Sequence, residues 1–133
     1  MGNAEIPRIL VVDDEEDVRE RIGSFISRKI KCEIQKASDG NQAIEKLKKA
    51  EFDLVLLDIK MPGLSGIDVI KEAVKFTPRT KIVAFSGYDS QEVADLALKE
   101  GAVDFLPKPH TIEAIELKVK DILTQIGKYR PKS

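Results

Sequence analysis

The amino-acid sequence predicts an α/β fold: a doubly wound, five-stranded parallel sheet carrying five helices on its two faces. Short apolar runs that read as strands alternate with longer stretches whose apolar residues recur at helical spacing, and the pair repeats five times. The connections are short, and a parallel partner strand is reached only through a right-handed crossover long enough to hold a helix. The length, 133 residues, suits one such domain.

Each element has its own justification. Arg8-Ile9-Leu10-Val11-Val12 reads as the first strand, and the stripe Val18, Ile22, Phe25 and Ile26 as the first helix. A second strand spans Cys32 to Ala37, followed by a helix marked by Ala43, Leu47 and Ala50. The third strand, Asp53 to Leu57, leads to Ser65-Gly66-Ile67-Asp68, which has the capping-box spacing of a helix start, and then to the stripe Ile67, Ile70 and Val74. Lys81 to Phe85 is the fourth strand. Asp89, three residues before Glu92, starts a helix marked by Val93, Leu96 and Ala97 that stops at Gly101. Val103 to Leu106 is the fifth strand, and Ile112, Ile115, Val119, Ile122 and Ile126 line the last helix up to Gly127. Three of the strands are apolar on both faces, as buried parallel strands must be. Residues 1–6 are therefore expected to be an extension, 7–127 the domain, and 128–133 a short solvated basic tail or the start of a linker.

Composition removes several function classes. Lys and Arg total 22 and Asp and Glu 23, a net charge of −1, whereas unaided nucleic-acid binding needs a basic excess to displace counterions. The longest apolar runs, such as Leu54-Val55-Leu56-Leu57, hold four residues against about 20 for a membrane helix. Cys32 is the single cysteine, so no intramolecular disulfide or Cys-based zinc cluster forms; a buried strand thiol in a cytoplasmic, soluble protein is expected.

In doubly wound sheets ligands bind beyond the carboxyl ends of the strands. Here the first strand ends in Asp13-Asp14, the third in Asp58, the fourth in Ser86 and the fifth in Lys108. If strands one and three are neighbours, three carboxylates converge. Two carboxylates 4 Å apart repel by about 4 kcal/mol at an effective dielectric of 20, so the cluster implies a hard divalent cation. Magnesium suits oxygen ligands and phosphate, and the absence of His or Cys among the ligands disfavours zinc or copper. A metal, the Lys108 ammonium, the Ser86 hydroxyl and a carboxylate nucleophile are the parts that phosphoryl transfer to an aspartate needs. Singly, each part has a plainer role: Asp14 as N-cap of the first helix, Ser86 in a turn, Lys108 in solvent.

Rival sites fail at identifiable positions. Asp13-Asp14-Glu15-Glu16 stands where a dinucleotide fold needs G-x-G-x-x-G, and no P-loop motif occurs. Haloacid dehalogenase-type phosphatases need D-x-D, which neither Asp13-Asp14 nor Asp58-Ile59-Lys60 supplies. A small Mg²⁺-dependent phosphatase and an interaction module of this fold without phosphotransfer stay as alternatives.

Val11-Val12-Asp13-Asp14, Leu57-Asp58-Ile59-Lys60-Met61-Pro62-Gly63, Phe85-Ser86-Gly87, Gly101-Ala102 and Lys108-Pro109 together resemble the receiver domain of two-component response regulators, over roughly residues 7 to 127. The resemblance implies a chemotaxis-regulator-like, flavodoxin-like fold with strand order 2-1-3-4-5. It implies that Asp58 accepts a phosphoryl group from the phosphohistidine of a sensor histidine kinase or phosphotransfer protein. Asp13, Asp14, Asp58 and the backbone carbonyl of Lys60 would hold Mg²⁺, Lys108 and Ser86 would contact the phosphoryl oxygens, and Phe105 would be the switch aromatic. The surface of the fourth helix, fifth strand and fifth helix, including Ala94, Leu98 and Pro107, would meet an output partner or domain or a second copy of the chain. The first helix, around Glu15, Val18, Arg19 and Ile22, would meet the kinase. A cis Lys108-Pro109 bond is implied, Tyr88 and Lys60 would flank the approach of water, and His110 stands where the family commonly has Phe.

Overall fold

The structure, a computed structural model, describes residues 6–59, 65–86, 91–107 and 111–132. Five strands alternate with five helices: β1 (Arg8–Val12), α1 (Glu16–Lys29), β2 (Glu33–Ala37), α2 (Gly40–Lys49), β3 (Leu54–Asp58), α3 (Gly66–Phe76), β4 (Lys81–Ser86), α4 (Gln91–Glu100), β5 (Asp104–Pro107) and α5 (Ile112–Gln125). All neighbouring strands run parallel, in the order β2-β1-β3-β4-β5. The order places β1 and β3 side by side, which meets the condition for bringing the acidic strand ends together.

Alternation along the central strands builds two cores. Leu10, Val12, Val55, Leu57, Ile82 and Ala84 pack against α2, α3 and α4 through Ala43, Leu47, Val69, Ile70, Ala73 and Ala97. Ile9, Val11, Leu54, Leu56, Val83 and Phe85 pack on the other face against Ile22 and Ile26 of α1 and Ile115, Val119, Ile122 and Leu123 of α5. Each fully buried aliphatic side chain contributes roughly 1.5–3 kcal/mol, so the three central strands carry much of the stability. Helix ends follow their sequence signals. Ser65 accepts the Asp68 N–H as N-cap of α3, Thr111 caps α5 through the Ala114 N–H, and Gly101 and Gly127 take positive φ beyond α4 and α5. Asp89 lies outside the described residues. No helix among them is long and apolar enough to cross a membrane.

Several expectations need correction. β2 starts at Glu33, so Cys32 precedes the strand and is only partly buried, though burial still pushes its thiol up to about 11. Leu96 and Val74, read as core stripes, are 41% and 37% exposed, because neighbouring positions (Ala97 on α4, Val69, Ile70 and Ala73 on α3) supply the buried contacts. The segment 128–132, expected as a solvated tail, runs against the domain, with Arg130, Pro131 and Lys132 exposed and Lys128 and Tyr129 half-buried. Pro131 bridges antiparallel to Ile30, the Lys31 N–H donates to the Arg130 carbonyl at 2.8 Å, and Tyr129 packs on the α1/α5 core. Lys128 reaches Asp53 at 2.8 Å, and Asp53 also accepts the Arg8 N–H at 2.9 Å.

Candidate functional site

Strand register aligns the ends that carry the chemistry. Val12, Leu57, Ala84 and Phe105 occupy one row across β1, β3, β4 and β5, and in the following row Asp58 lies beside Phe85. Asp13 extends the β1 edge by donating its N–H to the Ala37 carbonyl at 3.2 Å. One carboxylate oxygen from each of Asp13, Asp14 and Asp58 lies within 4.8 Å of the others. Asp13 is 1% and Asp58 5% exposed, whereas Asp14 is exposed.

Local contacts hold this arrangement. Asp13 Oδ1 accepts the Glu15 N–H at 2.9 Å, and the Asp13 carbonyl accepts Nη1 of Arg19, one turn into α1, at 2.8 Å. Glu15, not Asp14, is the N-cap of α1, and it makes no side-chain cap bond, so the plain helix-capping role for Asp14 is set aside. The end of β3 is fixed from the other direction. The Ile59 N–H donates to the Phe85 carbonyl at 2.9 Å and the Gly66 N–H to the Ile59 carbonyl at 3.2 Å. Gly66 sits so close that a Cβ there would stand 2.5 Å from Ile59 Cα, which only glycine permits. The start of α3 thus rests directly on the strand end that carries Asp58.

The electrostatics call for a counter-charge. Three carboxylates this close, two of them buried, repel by several kcal/mol unless a cation or protons intervene. An all-oxygen, partly open donor set fits a hard divalent ion such as Mg²⁺, which keeps several waters and takes few protein ligands. Among the described residues no other group of three such side chains comes together in this way.

The remaining expected residues fall in different places. Ser86 ends β4, its backbone paired with Pro107 of β5. Phe105 is half-buried and packs on the core beneath α4. Its N–H donates to Asp104 Oδ1 at 2.8 Å, and the other carboxylate oxygen of Asp104 pairs with Lys118 of α5, which raises the lysine pKa through the side-chain hydrogen bond. Lys60, Tyr88, Lys108 and His110, with the Lys108-Pro109 bond, lie outside the described residues. On the α4-β5-α5 side Leu98 is 44% exposed and Ala94 half-buried. On α1, Ile22 is 3% exposed and packs in the core, so it presents no surface to a kinase; Glu15 is exposed and Val18 and Arg19 half-buried. Sequence reasoning passed over Gly66, whose capping-box setting masked its close approach, and the Arg19 bond to the acidic loop.

The family comparisons agree with this geometry. The family model described as the response regulator receiver domain matches residues 9–120. The chain is 38% identical over 102 residues to the chemotaxis protein CheY of Thermotoga maritima, covering 77% of this chain and 85% of that protein. It is 37% identical over 116 residues to the transcriptional regulatory protein ZraR of Klebsiella oxytoca, covering 86% of this chain but 26% of that one. Among solved structures, the receiver domain of the Francisella response regulator 1452 superposes with a TM-score of 0.83 at 28% identity, covering 90% of this chain and 98% of that one. The five-stranded parallel sheet in the order 2-1-3-4-5 is thus matched in shape and most of the chain is matched in sequence, and the chain belongs to the response regulator receiver domain family.

Proposed function

We propose that this receiver is a phosphorylation-dependent switch in which Asp58 accepts a phosphoryl group from the phosphohistidine of a sensor histidine kinase or phosphotransfer protein. The observation that carries the reading is the meeting of the Asp13, Asp14 and Asp58 carboxylates within 4.8 Å at the ligand-binding edge of the sheet. An Asp58 carboxylate oxygen attacks phosphorus, the P–O bond forms as the P–N bond breaks, and the imidazole nitrogen leaves with its electron pair. Water reverses the modification by attacking phosphorus and returning the carboxylate and inorganic phosphate. Asp13, Asp14, Asp58 and the Lys60 carbonyl would hold Mg²⁺, which would supply charge neutralisation on the transferring oxygens. Lys108 pairs with the phosphoryl oxygens, and the Ser86 hydroxyl donates to one of them.

The modification turns a carboxylate of charge −1 into an acyl phosphate of about −2, a gain of about one negative charge, and sets three strong acceptors beside Ser86. Contacts made only in the phosphorylated state shift a two-state equilibrium by about 1–3 kcal/mol, and Phe105, beneath α4, is the side chain that registers the shift. The α4-β5-α5 face then meets a partner, an output domain or a second copy of the chain, in the cytoplasm. Tyr88 shields the acyl phosphate from water.

Incubation with a small acyl-phosphate donor and Mg²⁺ tests the reading against its alternatives. One hydroxylamine-sensitive phosphoryl per chain, absent without Mg²⁺ and absent in Asp58→Asn, is the expected result. Turnover of many phosphoesters per chain identifies a phosphatase instead, and no labelling identifies a passive interaction module.

A further inference from the structure

We propose that Arg19 is a positioning residue for the acidic cluster, setting its affinity for a divalent cation by clamping the loop that carries Asp13 and Asp14; the inference rests on the magnesium reading above. Three hydrogen bonds among the described residues hold Asp13. Its N–H donates to the Ala37 carbonyl at 3.2 Å, its Oδ1 accepts the Glu15 N–H at 2.9 Å, and its carbonyl accepts Arg19 Nη1 at 2.8 Å. The first two contacts come from backbone that any sequence supplies. Of these three, the third comes from a side chain, and it ties the loop to α1 itself, whose Ile22 and Ile26 are anchored in the core.

Arg19 makes no close ion pair among the described residues, although its charge reaches Glu20, and its hydrogen bond goes to a carbonyl. That choice matters because two effects of opposite sign meet here. A cationic side chain near the cluster repels a metal ion, whereas a clamped loop presents its carboxylates already in place. Arg19 is half-buried and Asp14 exposed, so solvent screens the repulsion, while the hydrogen bond is local and unscreened. The clamp therefore dominates, and loss of Arg19 weakens cation binding instead of strengthening it. Residues that orient metal ligands from behind typically change affinity by about 10–100-fold when removed. A single bond to a ligand's backbone belongs near the lower figure.

The test is a Mn²⁺ titration of the full chain followed by electron paramagnetic resonance, with Mg²⁺ as competitor, at a temperature where circular dichroism shows every variant folded. R19M keeps the aliphatic stem and loses both charge and donor; it should bind about tenfold more weakly than the unaltered chain. R19K restores charge and a donor of nearly the same reach and should recover most of the loss, a rescue that a purely structural role does not give. R19Q, whose amide falls short of the carbonyl, is carried alongside so that a folding failure of R19M leaves the comparison intact. Labelling by the small acyl-phosphate donor should slow in R19M as well, whereas a residue serving only as a kinase contact leaves it unchanged. If the unaltered chain binds Mn²⁺ and R19M and R19Q bind as tightly or more tightly, the positioning role is overturned while the magnesium reading stands. If the unaltered chain binds no Mn²⁺, or Asp58→Asn binds it equally well, the magnesium reading falls and this inference with it.

Discussion

Gly66→Ala is a one-atom probe of the way α3 supports the phosphoacceptor strand. The added Cβ would stand 2.5 Å from Ile59 Cα, 3.0 Å from the Asp58 carbonyl oxygen and 3.1 Å from the Ile59 carbonyl oxygen. Carbon atoms pack at about 3.5–4.0 Å, so helix and strand must separate by about 1 Å, and both sides of the contact are backbone. Overpacking of this kind costs about 1–3 kcal/mol, and the helix propensity gained by replacing glycine returns at most about 1 kcal/mol. A net loss near 2 kcal/mol corresponds to a fall in Tm of about 5–10 °C for a domain of this size. Gly23→Ala is the control, since its Cβ would meet the flexible Lys36 side chain at 2.9 Å and the Ile34 methyl at 3.3 Å, and it should be nearly neutral. Scanning calorimetry of both variants, with Mn²⁺ affinity measured in parallel, checks the reasoning. A Gly66→Ala protein that melts within 1 °C of the parent, or that cannot be told from Gly23→Ala, refutes the claim that α3 bears directly on the Asp58 strand end.

Three further outcomes follow from the same contacts. Without divalent cations Asp58→Asn should stabilise the fold by about 1–3 kcal/mol in chemical denaturation, because it removes one of three crowded carboxylates, and the rise in Tm on adding Mg²⁺ should disappear with it. The Asp104–Lys118 pair raises the lysine pKa, so its contribution is complete below the ordinary lysine value of 10.5 and is lost as pH rises through the folded value. Lys118→Met should therefore cost at most about 1 kcal/mol at neutral pH, as for an exposed pair, and the gap should close in urea titrations run above that range. Tyr129→Ala should cost about 1–2 kcal/mol in the same assay through lost packing on the α1/α5 core, where a solvated tail gives no change.

Much of the fold was legible because buried parallel strands leave an unmistakable trace. Ile9-Val12, Leu54-Leu57 and Ile82-Phe85 are apolar on both faces, and all are buried in the sheet centre. The order of the strands was not in those runs; it came with the family resemblance, since nothing local in Val11 or Leu56 says which neighbour it will have. Helix stripes were drawn too wide where a helix packs by only part of its surface: Ala97 and Ile70 of the expected stripes are buried, while Leu96 and Val74 face out. The acidic cluster was legible because its members end strands, a position that topology converts into proximity. What stayed hidden depends on contacts between segments distant in the chain. The basic segment after Gly127 looked solvated because its charges outnumber its single aromatic, yet backbone pairing at Ile30 and the burial of Tyr129 decide its course. Arg19 stands in the sequence as an expected kinase contact, and nothing local in the chain announces its bond to the Asp13 carbonyl.

The most direct measurement is the chemical identity of the modified atom. After incubation with the acyl-phosphate donor and Mg²⁺, borohydride reduction followed by peptide mass spectrometry converts an aspartyl phosphate into homoserine at its site. The account predicts one such conversion, at Asp58, lost when Mg²⁺ is chelated. Conversion at another carboxylate, or an unmodified Asp58 under conditions in which another receiver is labelled, contradicts it.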